Sequence, residues 1–141
     1  MSAYRDQKTG ITDAECLMGA LSQMTSLGTG KLFQPVRHEV AVQLEGFHGD
    51  KRQQTAEIVL PRAQVQGAAN DIGFKKQADG TYNAIISAFD SGRYNAGWLT
   101  DVKQRVLELR TVKKVKAQPG MRLEKREVLK NGDIRLAYVS V

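Results

Sequence analysis

Apolar positions along the chain recur with two different periods, and the changes from one to the other divide it into elements. Ala14, Leu17, Met18, Leu21 and Met24 fall at helical spacing, which predicts a first helix that buries that face and stops near Gly28. The four residues Thr12-Asp13-Ala14-Glu15 read as its capping box, with the Thr12 hydroxyl accepting the Glu15 N–H and Glu15 reaching back. Before it, Met1 to Ile11 forms a short first strand with weak alternation. Beyond the Gly-containing loop Thr25–Pro35, Val36, His38, Val40, Val42 and Leu44 alternate with polar neighbours, a half-buried strand of period two. Gly46 to Gln53 interrupts the pattern, Thr55 to Leu60 resumes it, and Pro61 ends it. Ile72 and Phe74 begin a further strand that runs into Asp79-Gly80, a dipeptide suited to the positive φ of a hairpin turn, so Thr81 to Phe89 returns antiparallel.

After a flexible loop at Gly92–Gly97, Trp98, Leu99, Val102, Val106, Leu109 and Val112 recur every three or four residues and predict a second amphipathic helix. Its end falls near Val112 or further on, and Pro119-Gly120 stops it. Asn131-Gly132 is the strongest hairpin signal in the chain, joining a strand around Leu123–Leu129 to one at Ile134–Tyr138. With a two-residue turn, Glu127 faces Leu136 and Lys125 faces Tyr138, a poor core pattern that suits an edge strand. The expected architecture is therefore α+β: a mainly antiparallel sheet with two helices packed on one face, in the order strand, helix, four strands, helix, two strands.

The 141 residues fit a single domain spanning 1–141. With 41% hydrophobic and 26% charged residues, the composition is that of an ordinary globular chain rather than a disordered one. No apolar run approaches the roughly 18 residues of a membrane span, so no membrane association is expected, and MSAYRDQKTG carries no signal-peptide apolar stretch. The single cysteine, Cys16, forms no internal disulfide and fits a reducing compartment, cytoplasmic or like the plastid stroma.

Charge changes the picture more than composition does. Residues 1–70 hold seven Lys/Arg and seven Asp/Glu, while 71–141 hold fourteen against eight, so the whole net charge of +6 sits in the second half. Between Lys103 and Arg126 nine cations meet only Glu108 and Glu124. On a helix of about 100° per residue, Lys103, Arg110 and Lys114 fall within an arc of roughly 40° facing away from the apolar stripe. Lys113 and Lys116 project into the apolar arc, and lysines here also complement the negative end of the helix dipole.

Several segments taken together carry a resemblance. Lys8-Thr9-Gly10-Ile11-Thr12-Asp13-Ala14-Glu15-Cys16-Leu17, Asp71-Ile72-Gly73-Phe74, Asp79-Gly80-Thr81-Tyr82, Trp98-Leu99 with Gln104-Arg105, and Asn131-Gly132-Asp133-Ile134-Arg135-Leu136 stand in the order of a known family's recurring segments. The chain resembles the hypothetical chloroplast reading frame thirty-five family, small proteins of cyanobacteria, algal plastids, other bacteria and some phages. The resemblance implies a domain of unknown function and supplies no catalytic residues. The chain departs from the family pattern at Thr111–Lys116 and in the insertion-like stretch Thr25–Gln43.

Candidate chemistry is sparse. His38 and His48 stand ten apart with no metal-ligand spacing, so neither a metal site nor a cofactor is expected. His38 reads as a core or sheet-edge histidine, and Cys16, beside Asp13 and Glu15, as a structural thiol. No nucleotide-binding or hydrolase fingerprint occurs, and the chain is not expected to be an enzyme. The Gly-bracketed stretch from Gly46 to Arg52 offers His48, Lys51 and Arg52 as a possible ligand loop, with Tyr94 as an exposed contact nearby. The favoured reading is a non-enzymatic binding module that meets an acidic partner, nucleic acid or protein, through Lys103, Arg110, Lys113, Lys114 and Arg122. Its competitors are an adaptor that pairs through the edge strand at Leu123–Leu129, and a small-ligand sequestering protein with a pocket near His48 and Tyr94. An exposed sheet edge also permits a homo-oligomer.

Overall fold

The structure, a computed structural model, describes residues 3–65, 69–117, 121–128 and 133–140. In chain order they form β1 (Tyr4–Ile11), α1 (Ala14–Ser22), β2 (Val36–Glu45), β3 (Lys51–Leu60), the single turn α2 (Arg62–Val65), β4 (Ile72–Lys76), β5 (Tyr82–Ser87), a 3-10 turn (Asp90–Gly92), α3 (Ala96–Lys116), β6 (Met121–Val128) and β7 (Ile134–Ser140). Five strands make one antiparallel sheet in the order β1-β5-β4-β3-β2, and β6 and β7 pair apart as a two-stranded sheet. The α+β order expected from the pattern holds, with α2 and the 3-10 turn added.

Local chemistry sets the ends of the elements. The cap of α1 is Asp13 rather than Thr12: its carboxylate accepts the Cys16 N–H at 2.9 Å. A carboxylate at this position satisfies an orphan N–H and also opposes the positive end of the helix dipole, which a hydroxyl does not. Asn95 caps α3 in the same way, accepting from Trp98 N at 3.0 Å. The β4–β5 hairpin turns at Gln77–Thr81, with Gly80 at φ +87° supplying the left-handed residue.

Both long helices lie on one face of the sheet. Leu17 and Leu21 of α1 and Trp98, Val102 and Val106 of α3 join Ile58, Leu60, Ile72, Phe74 and Ile86 in the main core. Leu109 approaches Gly19 closely, since a Cβ there would stand 3.2 Å from its Cδ1. The opposite face carries a second, smaller cluster of Leu44, Ala56, Val59 and Ile85, with Tyr4 and Val42 against it. Three of its four buried members, Leu44, Ala56 and Val59, come from the β2–β3 arm. The pairing slips between Arg37 and Val42, leaving β2 with extra residues there. The end of β2 then reaches past β3 to β4, where Asp71 N donates to the Glu45 carbonyl at 2.9 Å and the Asp71 carboxylate accepts the Glu45 N–H at 2.8 Å. The bulge also marks β2 as an edge that does not run flat.

The β6–β7 register differs from the two-residue-turn expectation. Arg126 stands opposite Leu136 and Glu127 opposite Arg135, one residue away from the expected partners, and a further slip between Leu123 and Lys125 brings Leu123 opposite Tyr138. The side chains of Lys125 and Glu127, and with them the inward charge pattern expected there, lie outside the described residues. The Asn131-Gly132 turn and the Pro119-Gly120 stop lie outside the described residues.

Candidate partner-docking face

The helix α3 runs 21 residues, and only its first half is covered by the core: Trp98, Leu99, Val102 and Val106 are its buried positions. Lys103, Arg110 and Lys114 are exposed, and no acidic side chain pairs with them among the described residues. The stripe expected from the helical angle is therefore present, and it stays charged outward.

Lys113 does not belong to it. Its ammonium turns towards α1 and lies 3.6 Å from the Asp13 carboxylate and 3.5 Å from that of Glu15. Those two acids, Asp13 foremost, hold the Lys113 pKa above its ordinary value. The residue that projects into the apolar arc thus closes the helix–helix seam with its charge already matched. Arg126 on β6 is likewise matched, by Glu108 of α3. For Arg122 the backbone is placed in β6 opposite Val139, and its side chain lies outside the described residues.

Asp13 is the hinge of that seam. Its carboxyl is held below the usual range, first by the Cys16 N–H and also by the Lys113 charge. A folded pKa below the unfolded value contributes stability that is present above about pH 4 and lost as pH falls through the folded value. Replacing Asp13 with alanine removes the cap and is expected to cost about 1 kcal/mol, read by chemical denaturation at neutral pH. Asp13→Asn keeps a capping oxygen and is expected to flatten the acid side of the stability profile.

Leu107 stands in the middle of the cationic stripe, 61% exposed, four residues after Lys103, three before Arg110 and seven before Lys114. It follows Val106 by one position, a rotation of about 100° that takes it off the buried face. A hollow flanks it on each side. One, of about 450 Å³, is lined by Leu107, Arg110, Thr111 and Lys114 with Asp13 and Lys113 at its α1 side. The other, of about 560 Å³, lies against the last hairpin and is lined by Gln104, Leu107, Glu108 and Thr111 facing Ile134 and Leu136, with Asp133 and Arg135. Leu107 and Thr111 form the ridge between them. Sequence reasoning missed Leu107 because a lone leucine beside the core stripe reads as its flank.

The ligand-loop residues do not converge. Tyr94, expected as an exposed contact, is 1% exposed: its hydroxyl accepts the Leu27 N–H at 3.1 Å and lies 3.3 Å from the Val65 carbonyl, and its ring meets Trp98 edge-on at 5.0 Å. It belongs to the helix-side core, whereas His48, Lys51 and Arg52 sit on the β2–β3 arm across the sheet. His48 is exposed and its ring packs on Phe47. Lys51 pairs with Glu45 at 3.0 Å, and Arg52 lies over the Tyr4 ring at 5.0 Å. The amides of the turn are spent internally, Gly46 on Asp50, Gly49 on Gly46 and Phe47 on the Asn70 side chain, so no anion cradle forms from them.

A cleft of about 720 Å³ does lie on that side, lined by His38 rather than His48, with Val36, Val42, Val59, Pro61, Arg62 and Asp71. Its charges are matched from within: Lys51 by Glu45, and Asp71 by the backbone N–H groups of Glu45 and Arg62, while the Arg62 guanidinium donates to the Phe47 carbonyl. Cys16 is buried, and burial first, then Asp13, pushes its thiol pKa up, away from nucleophilic use. Among the described residues no group of three His, Cys, Asp or Glu is placed to hold a metal, and no helix is long and apolar enough to cross a membrane. A family model described as "Protein of unknown function (DUF1257)" matches residues 32–137. No curated protein and no solved structure matches the chain.

Proposed function

The chain belongs to the DUF1257 family of proteins of unknown function, and we propose that it is a non-catalytic binding module that docks an acidic partner on the outer face of α3. The observation that carries this reading is the stripe of Lys103, Arg110 and Lys114, exposed and in no ion pair among the described residues. Clustered cations left unmatched raise the local potential, attract anionic surfaces and speed encounter. Lys113 is excluded from the docking set, because its charge is used within the fold. Within the family we assign the chain to the hypothetical chloroplast reading frame thirty-five group, on the colinear segments from Lys8 to Leu136.

The reading is tested with poly-glutamate as an acidic probe, titrated at rising salt. Exposed ion pairs are each worth about 0.2–1 kcal/mol and are screened by salt. The double variant Arg110→Gln/Lys114→Gln is therefore expected to bind about five- to tenfold more weakly, with a shallower salt dependence. Unchanged affinity in the double variant, or binding indifferent to salt, overturns the proposal.

A further inference from the structure

Resting on that reading, we infer that the partner is an acidic amphipathic helix of another protein, laid along α3 with an apolar side chain against Leu107 and carboxylates at Lys103, Arg110 and Lys114. Spacing is the first argument. At about 1.5 Å rise per residue the three cations stand roughly 10.5 Å and 6 Å apart along the axis. Acids seven and four residues apart on a helix reproduce both intervals. A strand, whose same-face positions recur every 6.6–6.8 Å or so, reproduces one of them.

Relief is the second argument. The Leu107–Thr111 ridge, an i, i+4 row, rises between two hollows, the shape that receives the grooves of a second helix. Leu107 at 61% exposure supplies an apolar centre among cations. A phosphate backbone has no use for such a centre, and a helix with one apolar stripe does.

Charge is the third argument. Each hollow carries acid as well as base, Asp13 in one and Glu108 with Asp133 in the other. Duplex DNA presents a charge about every 1.7 Å of its axis, so its phosphates meet those acids along with the cations. Discrete carboxylates on a helix meet the cations alone. Among the described residues no aromatic side chain lines either hollow, so these residues offer no platform for stacking bases.

The test uses three probes against the full chain: an acidic helical peptide with a leucine stripe, the same peptide with the stripe changed to alanine, and a 20-base-pair DNA duplex. Each is titrated by fluorescence anisotropy against the wild type, Leu107→Ala and Arg110→Gln/Lys114→Gln, with circular dichroism confirming that the variants are folded. The leucine-stripe peptide is expected to bind the wild type at least tenfold more tightly than either other probe. Leu107→Ala is expected to weaken that peptide about fivefold and to leave the alanine-stripe peptide unchanged. Equal binding of the two peptides, an unaffected Leu107→Ala variant or preference for the duplex overturns the helix as partner. The docking reading beneath it then stands if the Arg110→Gln/Lys114→Gln variant still weakens acidic probes, and falls with it if that variant binds as the wild type does.

Discussion

Asp71→Ala is expected to lower stability by about 2–5 kcal/mol, because it removes a buried carboxylate that two part-buried backbone donors share. Asp71 is 7% exposed, and its two carboxylate oxygens serve different segments: Oδ1 accepts the Arg62 N–H at 2.7 Å and Oδ2 the Glu45 N–H at 2.8 Å. The Tyr4 hydroxyl donates to the Asp71 carbonyl at 2.8 Å, so the head of β4 gathers β1, the end of β2 and the start of α2. Alanine supplies no acceptor for either N–H, and each unsatisfied buried donor costs about 1–3 kcal/mol. Against a total of about 5–15 kcal/mol for a natural domain, the loss registers as a midpoint drop in urea. Asp71→Asn keeps one acceptor oxygen and turns an amide N–H₂ towards the other donor, so it is expected to fall between alanine and the wild type. A urea midpoint within error of the wild type for Asp71→Ala sinks the clamp. Neither hollow beside Leu107 includes Asp71, so folded Asp71→Asn is expected to bind acidic probes normally.

The pH dependence of this clamp runs opposite to that of Asp13. Burial pushes the Asp71 carboxyl above its usual range, against the two N–H bonds that favour the charged form. A folded pKa above the unfolded value means that the folded chain holds the proton more tightly. The associated stability is full below about pH 4, the unfolded carboxylate value, and declines as pH rises through the folded one. Asp13, held low by its N–H bond and Lys113, loses its share as pH falls. Unfolding measured across the acid range separates the two, since Asp71→Asn removes the first slope and Asp13→Asn the second.

The elements legible in the sequence are those whose signal is local. The α3 stripe from Trp98 to Val106 and the Asp79-Gly80 turn depend on neighbours within a few residues and occupy their expected places. By contrast, β2 forms where expected but does not bury its apolar alternation, because the slip between Arg37 and Val42 leaves Val36 and Val40 exposed. The misread features depend on partners far along the chain. Tyr94 sits in a Gly- and Ser-rich loop that averages as polar, yet its burial is decided by Ser26, Phe33 and Val65, more than 25 residues away. The sequence alone groups Lys113 with the other cations because its partners, Asp13 and Glu15, stand 100 and 98 residues before it, at the start of another helix. The cap moved from Thr12 to Asp13 because two adjacent residues both offer an oxygen and only the turn geometry chooses between them. The cationic stripe itself is legible, being a property of one helix, while the hollow beside Leu107 depends on the hairpin that stands against it.

Gly73 is the position where the smallest addition is expected to do the most damage. Its backbone needs no glycine for conformation, since it is not among the positive-φ residues; what it lacks is room. A Cβ there would stand 2.6 Å from the Ala56 Cβ and 3.0 and 3.1 Å from the two Leu44 methyl groups. Ala56 and Leu44 are fully buried members of the second cluster, brought over Gly73 by the arm that Asp71 fastens. The Ala56 methyl has no rotamer to escape into, so Gly73→Ala is expected to cost about 1–3 kcal/mol as overpacking in a filled site. Gly73→Val adds two further methyls and is expected to lift the arm, exposing Leu44 and raising hydrogen exchange along β2 and the first half of β3. The cause is separable from general damage by a double variant. Ala56→Gly alone loses a buried methyl and weakens a strand, yet in the Gly73→Ala background it removes the 2.6 Å contact. The pair is therefore expected to be less destabilised than the sum of the singles by about 1 kcal/mol, within the range found for residues in contact. Strict additivity in urea denaturation puts the source of the cost elsewhere than at this contact, and with it the reason for a glycine in the middle of β4.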